Sequence, residues 1–239
     1  MDQNKKPMIS QIEELSVNIP GWSPIDQLYS LFLLVYSNSH IDGNIIEIGS
    51  WCGRSSVILA LAARMTDVKR VICIDLFPDR KDWIQNPDGT YSFKVKLGND
   101  EYSGYKEQTV WKEPFENAIL PVYEKDESLI SIFSQNIKKF GFEDLITPYK
   151  GDSSILKSNS SKDFKCKFAF IDGDHSYDAV CKDIKNVERY LVPGAWICFD
   201  DAFSSYEGVN RAIQDKIIDC EDYVCGQQMT RKFFVARKK

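Results

Sequence analysis

The segment NIIEIGSWCGRSSVILALAAR, residues 44–64, decides the fold that this sequence predicts. It begins with a short apolar run, Ile45–Ile48, and ends with a helical pattern, Ser55–Arg64. Gly49 and Gly53 lie between them, where the chain must turn sharply, and glycine permits unusual backbone angles and a close ligand approach. We therefore expect a strand, a tight turn and a helix with free N–H groups at its start, for which Ser55 is a candidate cap.

The glycine turn indicates which kind of ligand it can hold. It follows the pattern G-x-x-x-G, whereas a dinucleotide-binding turn has G-x-G-x-x-G. Trp51 stands where the second glycine would make room for a pyrophosphate, so a nicotinamide cofactor is disfavoured. Glu47 would repel phosphates and attract a ligand that carries an amino group. Asp75 lies 22 residues after Gly53, at a spacing where a carboxylate accepts hydrogen bonds from both ribose hydroxyls. These residues together predict an adenosine-bearing ligand.

Strand and helix patterns alternate along the rest of the chain, and Leu145–Tyr149 is the weakest strand because it contains Pro148. Such alternation is typical of a doubly wound α/β fold with a mostly parallel sheet. After it, two extended runs separated by two residues predict an antiparallel hairpin at the sheet edge. The predicted strands are Ile45–Ile48, Val71–Ile74, Leu145–Tyr149, Phe168–Ile171 and Ala195–Phe199, the helices Ser55–Arg64, Leu129–Phe140, Tyr177–Tyr190 and Val209–Ile218, and the hairpin Tyr223–Met229 with Lys232–Arg237.

Residues 78–123 interrupt this alternation. They combine several glycine-containing turns with many aromatic side chains. A loop of this length is usually functional or disordered, and its aromatic content argues against disorder. We predict one domain over residues 1–239 in which this partly structured insertion covers a site. A decoration without a role in the site is the alternative.

Composition limits the classes of protein and of partner. At 239 residues and 43% hydrophobic residues, the chain is long and apolar enough to form a globular core. A net charge of −5 argues against nucleic acid, whose affinity comes mainly from phosphate neutralisation. No apolar run approaches the roughly 20 residues that span a bilayer, and the start lacks a signal-peptide core. Seven cysteines without a CxxC pair favour a reduced, cytoplasmic protein without zinc.

Carboxylates follow two predicted strands of the sheet. Asp172 ends one strand, in the segment IDGDHSYDAV at 171–180, and the pair Asp200-Asp201 ends the next. Ligands of open α/β sheets bind beyond the carboxyl ends of the strands, so these three carboxylates are expected to converge. A hard divalent cation, Mg²⁺ first and Mn²⁺ or Ca²⁺ otherwise, would relieve their repulsion. In the alternative interpretation, Asp200-Asp201 only caps a helix.

Two further residues are candidates for chemistry near these strand ends. His175 lies three residues after Asp172 and is a candidate general base, with a role around a metal or a structural hydrogen bond as alternatives. His40 is interpreted as an ordinary loop residue. Asp152, in the segment GDSS, could accept a hydrogen bond from an adenine amino group or cap a helix.

In this order, the residues resemble class I S-adenosylmethionine-dependent methyltransferases. The resemblance spans about Trp22 to Ala236, with EIGSWCGRSS as the first motif, CID as the second and LVPGAWICFDD as the motif of strand five. IDGDHSYDAV is similar to the metal-dependent small-molecule O-methyltransferases of the macrocin and mycinamicin type, which include cephalosporin-hydroxylase-like proteins. The resemblance implies a Rossmann-like fold with a mostly parallel seven-stranded sheet that ends in an antiparallel hairpin.

The resemblance also implies roles for individual residues. It assigns the donor, S-adenosylmethionine, to Glu47, Gly49, Ser50, Gly53, Ser55, Asp75, Asp152 and Asp172. It assigns Mg²⁺ to Asp172, Asp200 and Asp201, and the proton of a small-molecule acceptor to His175. Many relatives have Glu at the position of Asp200, and the insertion has no counterpart that aligns. Relatives commonly self-associate, so a homo-oligomer is compatible with the resemblance.

Three hypotheses follow from the sequence. The first is a metal-dependent O-methyltransferase. The second is a nicotinamide-dependent oxidoreductase, which Trp51 disfavours. The third is a non-catalytic protein that binds an adenosyl ligand on the same fold, against which Asp172, His175 and Asp201 together argue. The sequence does not select an acceptor among a sugar or polyketide hydroxyl, a catechol-like ring and a peptide-derived metabolite.

Overall fold

The computed structural model describes residues 6–66, 68, 70–106, 109–159 and 163–239. The strands are β1 (Asn44–Ile48), β2 (Val71–Asp75), β3 (Trp83–Gln85), β4 (Tyr91–Leu97), β5 (Asp100–Gly104), β6 (Ile146–Lys150), β7 (Cys166–Ile171), β8 (Leu191–Phe199), β9 (Tyr223–Thr230) and β10 (Phe233–Lys238). The helices are α1 (Met8–Asn18), α2 (Ile25–Ser37), α3 (Arg54–Met65), α4 (Lys112–Pro114), α5 (Leu129–Lys139), α6 (Leu156–Asn159), α7 (Tyr177–Glu188) and α8 (Glu207–Ile213).

Seven strands form one sheet in the order β6-β2-β1-β7-β8-β10-β9. All neighbouring pairs from β6 to β8 are parallel, and β10 is antiparallel to both β8 and β9. The predicted mostly parallel, seven-stranded sheet with an antiparallel hairpin is thereby confirmed. The chain leaves β1 toward β2 and β6 and later returns to the other side of β1 with β7. Ligands bind at such a reversal of strand order, so the carboxyl ends of β1 and β7 mark the expected site.

The central strands of the sheet are buried on both faces, which explains why β7 ends in a continuously apolar run and why Glu47 is the only charged residue of β1. Ile45 of β1 and Phe168 of β7 belong to one core cluster, and their neighbours Ile46 and Ala169 belong to the cluster on the opposite face. This alternation follows from the two-residue period of a strand. The first cluster includes apolar residues of α1, α2, α3 and α5, and the second includes those of α7 and α8.

The two edges of the sheet contain the strand with Pro148 and the C-terminal hairpin. Pro148 lies in β6, which is an edge strand, and there a proline removes no ladder hydrogen bond on its open side. At the other edge, β9 and β10 form the predicted hairpin. Phe234 of β10 lies opposite Phe199 of β8, and the N–H of Ala202 donates to the carbonyl of Lys232 at 2.9 Å. The hairpin turn is thereby attached next to the carboxyl end of β8.

Residues 78–123 contain a second, antiparallel sheet in the order β3-β4-β5. Its aromatic side chains pack on one another: the ring centroids of Trp83 and Phe93 are 5.3 Å apart, and those of Tyr91 and Phe115 are 3.7 Å apart. Trp83 Nε1 donates to the Tyr123 hydroxyl at 3.1 Å, which joins the start of the insertion to its end. These aromatic side chains also belong to the core cluster on one face of the main sheet, so the insertion is packed onto the domain.

Two simpler observations complete the fold. Within the ranges that the structure describes, no helix combines the length and apolarity needed to cross a membrane. All seven cysteines have free thiols, and four of them are buried.

Candidate active site

A cleft of about 1060 Å³ opens at the carboxyl ends of β1, β2, β7 and β8. Most of the residues predicted to form the site line it: Gly49, Ser50, Ser55, Asp75, Asp152, Asp172, His175, Asp200 and Asp201. The insertion contributes a further wall that includes Phe93, Tyr105 and Trp111. The residues predicted at the ends of β1 and β2, those predicted at the ends of β7 and β8, and the insertion therefore all line the same cleft.

The glycine turn after β1 packs directly on the end of β7. Gly49 has φ +88°, and a Cβ at this position would lie 1.8 Å from the carbonyl oxygen of Asp172. Gly53 has φ +92° and is the N-cap of α3, which begins at Arg54. The prediction that Ser55 caps this helix is therefore wrong, since Ser55 lies inside the first turn. Only residues without a Cβ allow the chain to turn this closely, and the turn leaves an open space over the helix start.

Glu47 lies in the interior and outside the set of described residues that line the cleft. Its Oε2 accepts hydrogen bonds from the Ser56 hydroxyl and from the Cys73 thiol. Burial raises the pKa of Glu47, although these hydrogen bonds oppose the shift. Its Oε1 has no partner among the described residues. The predicted contact of Glu47 with an amino group of the donor stays a prediction.

Asp75 is fixed at the end of β2 by backbone N–H groups. Its Oδ2 accepts from Trp51 at 2.9 Å and its Oδ1 accepts from Phe77 at 2.5 Å. Burial raises its pKa, against the effect of these two hydrogen bonds. The Trp51 ring stacks on Trp22 with centroids 4.3 Å apart. Asp75 is therefore held in one orientation beside the glycine turn, and each oxygen keeps a lone pair for a ligand hydroxyl.

Asp152 caps a short helical turn, which is one of the two alternatives that the sequence suggested. Its Oδ1 accepts from the backbone N–H of Ser154 at 3.1 Å and so caps a short 3₁₀ turn, and its Oδ2 pairs with Lys182. Burial opposes ionisation of Asp152, but Lys182 and Ser154 outweigh it and the pKa lies below the ordinary value. Because Asp152 also lines the cleft, a cap and an adenine contact are compatible here.

An acidic centre forms where β7 and β8 end, as the sequence predicted. Burial, together with the charges of Asp200 and Asp201, raises the pKa of Asp172 well above its ordinary value. Lys232 Nζ lies 3.2 Å from Asp200 Oδ2 and 3.1 Å from Asp201 Oδ1. Burial alone would lower the pKa of Lys232, but the surrounding carboxylates outweigh it and raise the pKa. The centre thus contains a partly buried cation that the sequence did not reveal.

His175 is oriented by the acidic centre. Its Nε2 lies 3.2 Å from Asp201 Oδ2, and its ring centroid lies 4.1 Å from that of Tyr206. Burial disfavours the charge on Asp201, but the hydrogen bond from His175 and the charge of Lys232 outweigh burial, so the pKa of Asp201 is lowered. A base held by a carboxylate is the arrangement expected for proton transfer.

The donor atoms of the centre fit a divalent cation, with one change from the predicted ligand set. Ligand atoms of Asp172, His175 and Asp201 all lie within 4.8 Å of one another. Asp200 is engaged elsewhere, since its Oδ1 accepts from the N–H of Asp201 at 2.7 Å and its Oδ2 pairs with Lys232. Mg²⁺ prefers oxygen ligands only, whereas Mn²⁺ also accepts an imidazole.

Sequence reasoning missed several residues of the cleft. Lys232 and Tyr206 belong to the acidic centre, and Arg54 lies beside the glycine turn, where its Nη1 donates to the carbonyl of Gly21 at 2.9 Å. Gly21 is required there, because a Cβ would lie 2.7 Å from the Arg54 Cδ. The signal for Arg54 was its place directly after Gly53. Lys232 gave a weaker signal, a cation at the start of the second strand of the predicted hairpin.

The burial of Asp183 in α7 predicts that the free energy of unfolding depends on pH. It is buried, and burial raises its pKa from 3.8 to about 7. Between these values the folded state keeps a proton that the unfolded chain has lost, so stability falls as the pH rises from about 4 to about 7. Asp183→Asn should therefore raise the free energy of unfolding at pH 8 by about 2 to 4 kcal/mol, with no gain near pH 4.

Urea denaturation at both pH values measures this effect. Asp178→Asn, at an exposed position of the same helix, is the control and should change stability by less than about 0.5 kcal/mol. An Asp183→Asn variant that gains as much stability at pH 4 as at pH 8 would contradict the assignment.

Comparison with solved structures defines the class of fold. The O-methyltransferase NovP has a TM-score of 0.61 and 16% identity, over 90% of this chain and 80% of its own. An O-methyltransferase from Bacillus cereus in complex with SAH has a TM-score of 0.56 and 15% identity, over 100% of this chain and 94% of its own. TomG from Streptomyces achromogenes is an O-methyltransferase of tomaymycin synthesis, solved in complex with SAM. It has a TM-score of 0.57 and 15% identity, over 98% of this chain and 91% of its own. The fold is thus that of the Rossmann-like, S-adenosylmethionine-dependent methyltransferases.

Comparison with protein families gives the membership. Residues 46–202, well over half of the chain, match the family described as a methyltransferase domain. The chain belongs to this methyltransferase family. No curated protein sequence matches it significantly.

Proposed function

We propose that the chain transfers a methyl group from S-adenosylmethionine to a hydroxyl of a small molecule. The observation that carries this proposal is the meeting of the glycine turn and Asp75 with the His175–Asp201 pair in one cleft. The first pair of features suits an adenosyl donor, and the second suits removal of a proton from an acceptor. The similar structures NovP and TomG are both described as O-methyltransferases, which supports this reaction.

The residues at the ends of β1 and β2 would mainly bind and orient S-adenosylmethionine. Asp75 would accept hydrogen bonds from the ribose hydroxyls, and Asp152 one from the adenine amino group. Gly49 and Ser50 would leave room for the methionine moiety, with Glu47 and Ser55 behind them. Because the sulfonium already makes the methyl group reactive, the protein needs only to align it with the acceptor. Alignment of this kind contributes several kcal/mol, roughly 7 to 11 in ideal cases.

His175 would be the general base. With Nε2 held by Asp201, Nδ1 is the nitrogen left to accept the proton of the acceptor hydroxyl. Asp201 would then stabilise the imidazolium that forms. The hydroxyl oxygen, freed of its proton, attacks the methyl carbon as the bond from that carbon to sulfur breaks, and S-adenosylhomocysteine leaves.

A divalent cation is part of the proposal. Asp172 and Asp201 would hold it, with Asp200 beside them, and when bound it would lower the pKa of the acceptor hydroxyl. His175 can serve as a ligand or as the base, but its Nε2 cannot ligate a cation while it is hydrogen-bonded to Asp201. We assign the role of general base to His175, because Asp201 Oδ2, 3.2 Å from its Nε2, orients the ring for that role.

The insertion would shape the acceptor pocket. Phe93, Tyr105 and Trp111 line the cleft opposite the strand ends, and the Tyr105 ring centroid lies 6.3 Å from that of His175. Aromatic walls exclude water and present flat apolar faces to a ring. Acceptors that carry a sugar or a catechol-like ring suit such a wall.

Titration calorimetry with S-adenosylhomocysteine tests the donor site. We expect the wild type to bind it and Asp75→Ala to bind about 10- to 100-fold more weakly, because hydrogen bonds from the ribose to a carboxylate are lost. Asp26→Ala, at an exposed position of α2, is the control and should bind as the wild type does. Absence of heat with the wild type, or a fluorescence change with NADH instead, would contradict the proposal.

A further inference from the structure

Lys232 occupies an unusual position for a lysine. It lies between β9 and β10, yet only 16% of its side chain is exposed. The turn is anchored, since the carbonyl of Lys232 accepts the N–H of Ala202 just after the acidic pair. The hairpin therefore delivers the ammonium group into the acidic centre.

Every carboxylate oxygen of the acidic pair already has a partner within the chain. Asp200 Oδ1 accepts from the Asp201 N–H at 2.7 Å, and Asp200 Oδ2 pairs with Lys232 at 3.2 Å. Asp201 Oδ1 pairs with Lys232 at 3.1 Å, and Asp201 Oδ2 lies 3.2 Å from His175 Nε2. Each oxygen of the acidic pair thus already has a donor from the chain, and a metal ion bound there would either share these oxygens with Lys232 or displace it.

Lys232 and a divalent cation are attracted by the same oxygens. Unpaired carboxylates at this depth would be costly, because Asp200 has a side-chain exposure of only 3%. Two cations on one carboxylate pair would repel each other strongly, since the surroundings screen less than bulk water. Lysine is suited to alternate between the two states, because its flexible stem can withdraw the ammonium while the backbone stays in place.

We propose that Lys232 is the resident cation of the acidic centre and competes with the divalent ion for Asp201, the carboxylate that both would bind. This inference rests on the proposed function, since it concerns the metal site named there. In the metal-free protein Lys232 neutralises the pair and keeps Asp201 in position for His175. Metal binding displaces the ammonium, so the affinity for metal is set by Lys232 as well as by the ligands.

Calorimetric titration with MnCl₂ tests the competition. Lys232→Met should bind Mn²⁺ at least about tenfold more tightly than the wild type, because the competing charge is gone. Lys232→Arg should bind Mn²⁺ with an affinity close to that of the wild type, because the competing positive charge is kept. The matched control is Lys238→Met, which removes a lysine of β10 that also pairs with two carboxylates, Glu188 at 3.5 Å and Asp222 at 3.1 Å. Its affinity for Mn²⁺ should not change.

Thermal unfolding gives a second readout. Lys232→Met should melt below the wild type without metal, and Mn²⁺ should restore most of the loss, since the ion takes over neutralisation of the acidic pair. At the same Mn²⁺ concentration the melting temperature of the wild type should move less. Lys238→Met should show no rescue.

The outcomes separate the two proposals. If Lys232→Met binds Mn²⁺ no more tightly than a wild type that does bind it, the competition is wrong and the metal site stands. If neither protein binds Mn²⁺, the proposed metal site is wrong, and the proposed competition by Lys232 is wrong as well. Binding of S-adenosylhomocysteine by the same samples reports on the donor site independently of both.

Discussion

His175→Ala is expected to lower the rate of methyl transfer by about 10²- to 10⁴-fold, the usual contribution of a positioned general base. Binding of S-adenosylhomocysteine should stay within about threefold of the wild type, because the role proposed for His175 concerns the acceptor and not the donor. The rate is measured as transfer of a radiolabelled methyl group to the best acceptor in a panel of sugar and catechol-type hydroxyls. Added imidazole should restore part of the activity, which a purely structural role would not allow.

The control for this experiment is His40→Ala, which removes the second histidine at an exposed loop position. It should retain the wild-type rate. If His175→Ala keeps more than about a tenth of the activity, or if imidazole has no effect, another group is the base.

Gly49→Ala is expected to cost more than about 3 kcal/mol of stability or to prevent folding, since the new Cβ would overlap backbone. At this position the Cβ would lie 1.8 Å from the Asp172 carbonyl oxygen and 2.4 Å from its carbonyl carbon. Neither partner can rotate away, because the N–H of Asp172 is itself bonded to the carbonyl of Ile48 at 2.8 Å. Urea denaturation measures the loss.

Gly89→Ala separates the steric clash from backbone strain. Gly89 has φ +84°, close to that of Gly49, but a Cβ at this position would have no described atom within 4 Å. The strain alone should cost about 1 to 2 kcal/mol. Equal losses for the two variants would show that the contact between Gly49 and Asp172 is not tight.

The sheet could be predicted because its strands are buried on both faces. Phe168–Ile171 is a continuous apolar run, Ile45–Ile48 is interrupted only by Glu47, and the structure contains these runs inside β7 and β1. The convergence of Asp172 with Asp200 and Asp201 followed from the rule that parallel strands end at the same edge. These inferences needed only the local pattern and the direction of each strand.

The insertion and Lys232 needed information that a local pattern does not contain. In the insertion, β4 alternates apolar and polar residues in the manner of a half-buried strand, but neighbouring turns and aromatics obscured which segments pair with it. Lys232 reaches the acidic pair only because β10 pairs with β8 in the register that sets Phe234 opposite Phe199. The hairpin was predicted, but its register against a strand more than thirty residues earlier in the chain was not.

The contact between Gly49 and Asp172 sets the distance between the ends of β1 and β7 through main-chain atoms. In the proposed function, this backbone geometry would set the position of the donor relative to the base, whereas side chains of the insertion would recognise the acceptor. Substitutions in the β3-β4-β5 layer should therefore redirect such an enzyme to new acceptors without changing its chemistry. A scaffold divided in this way can diversify its products quickly while its reaction stays the same.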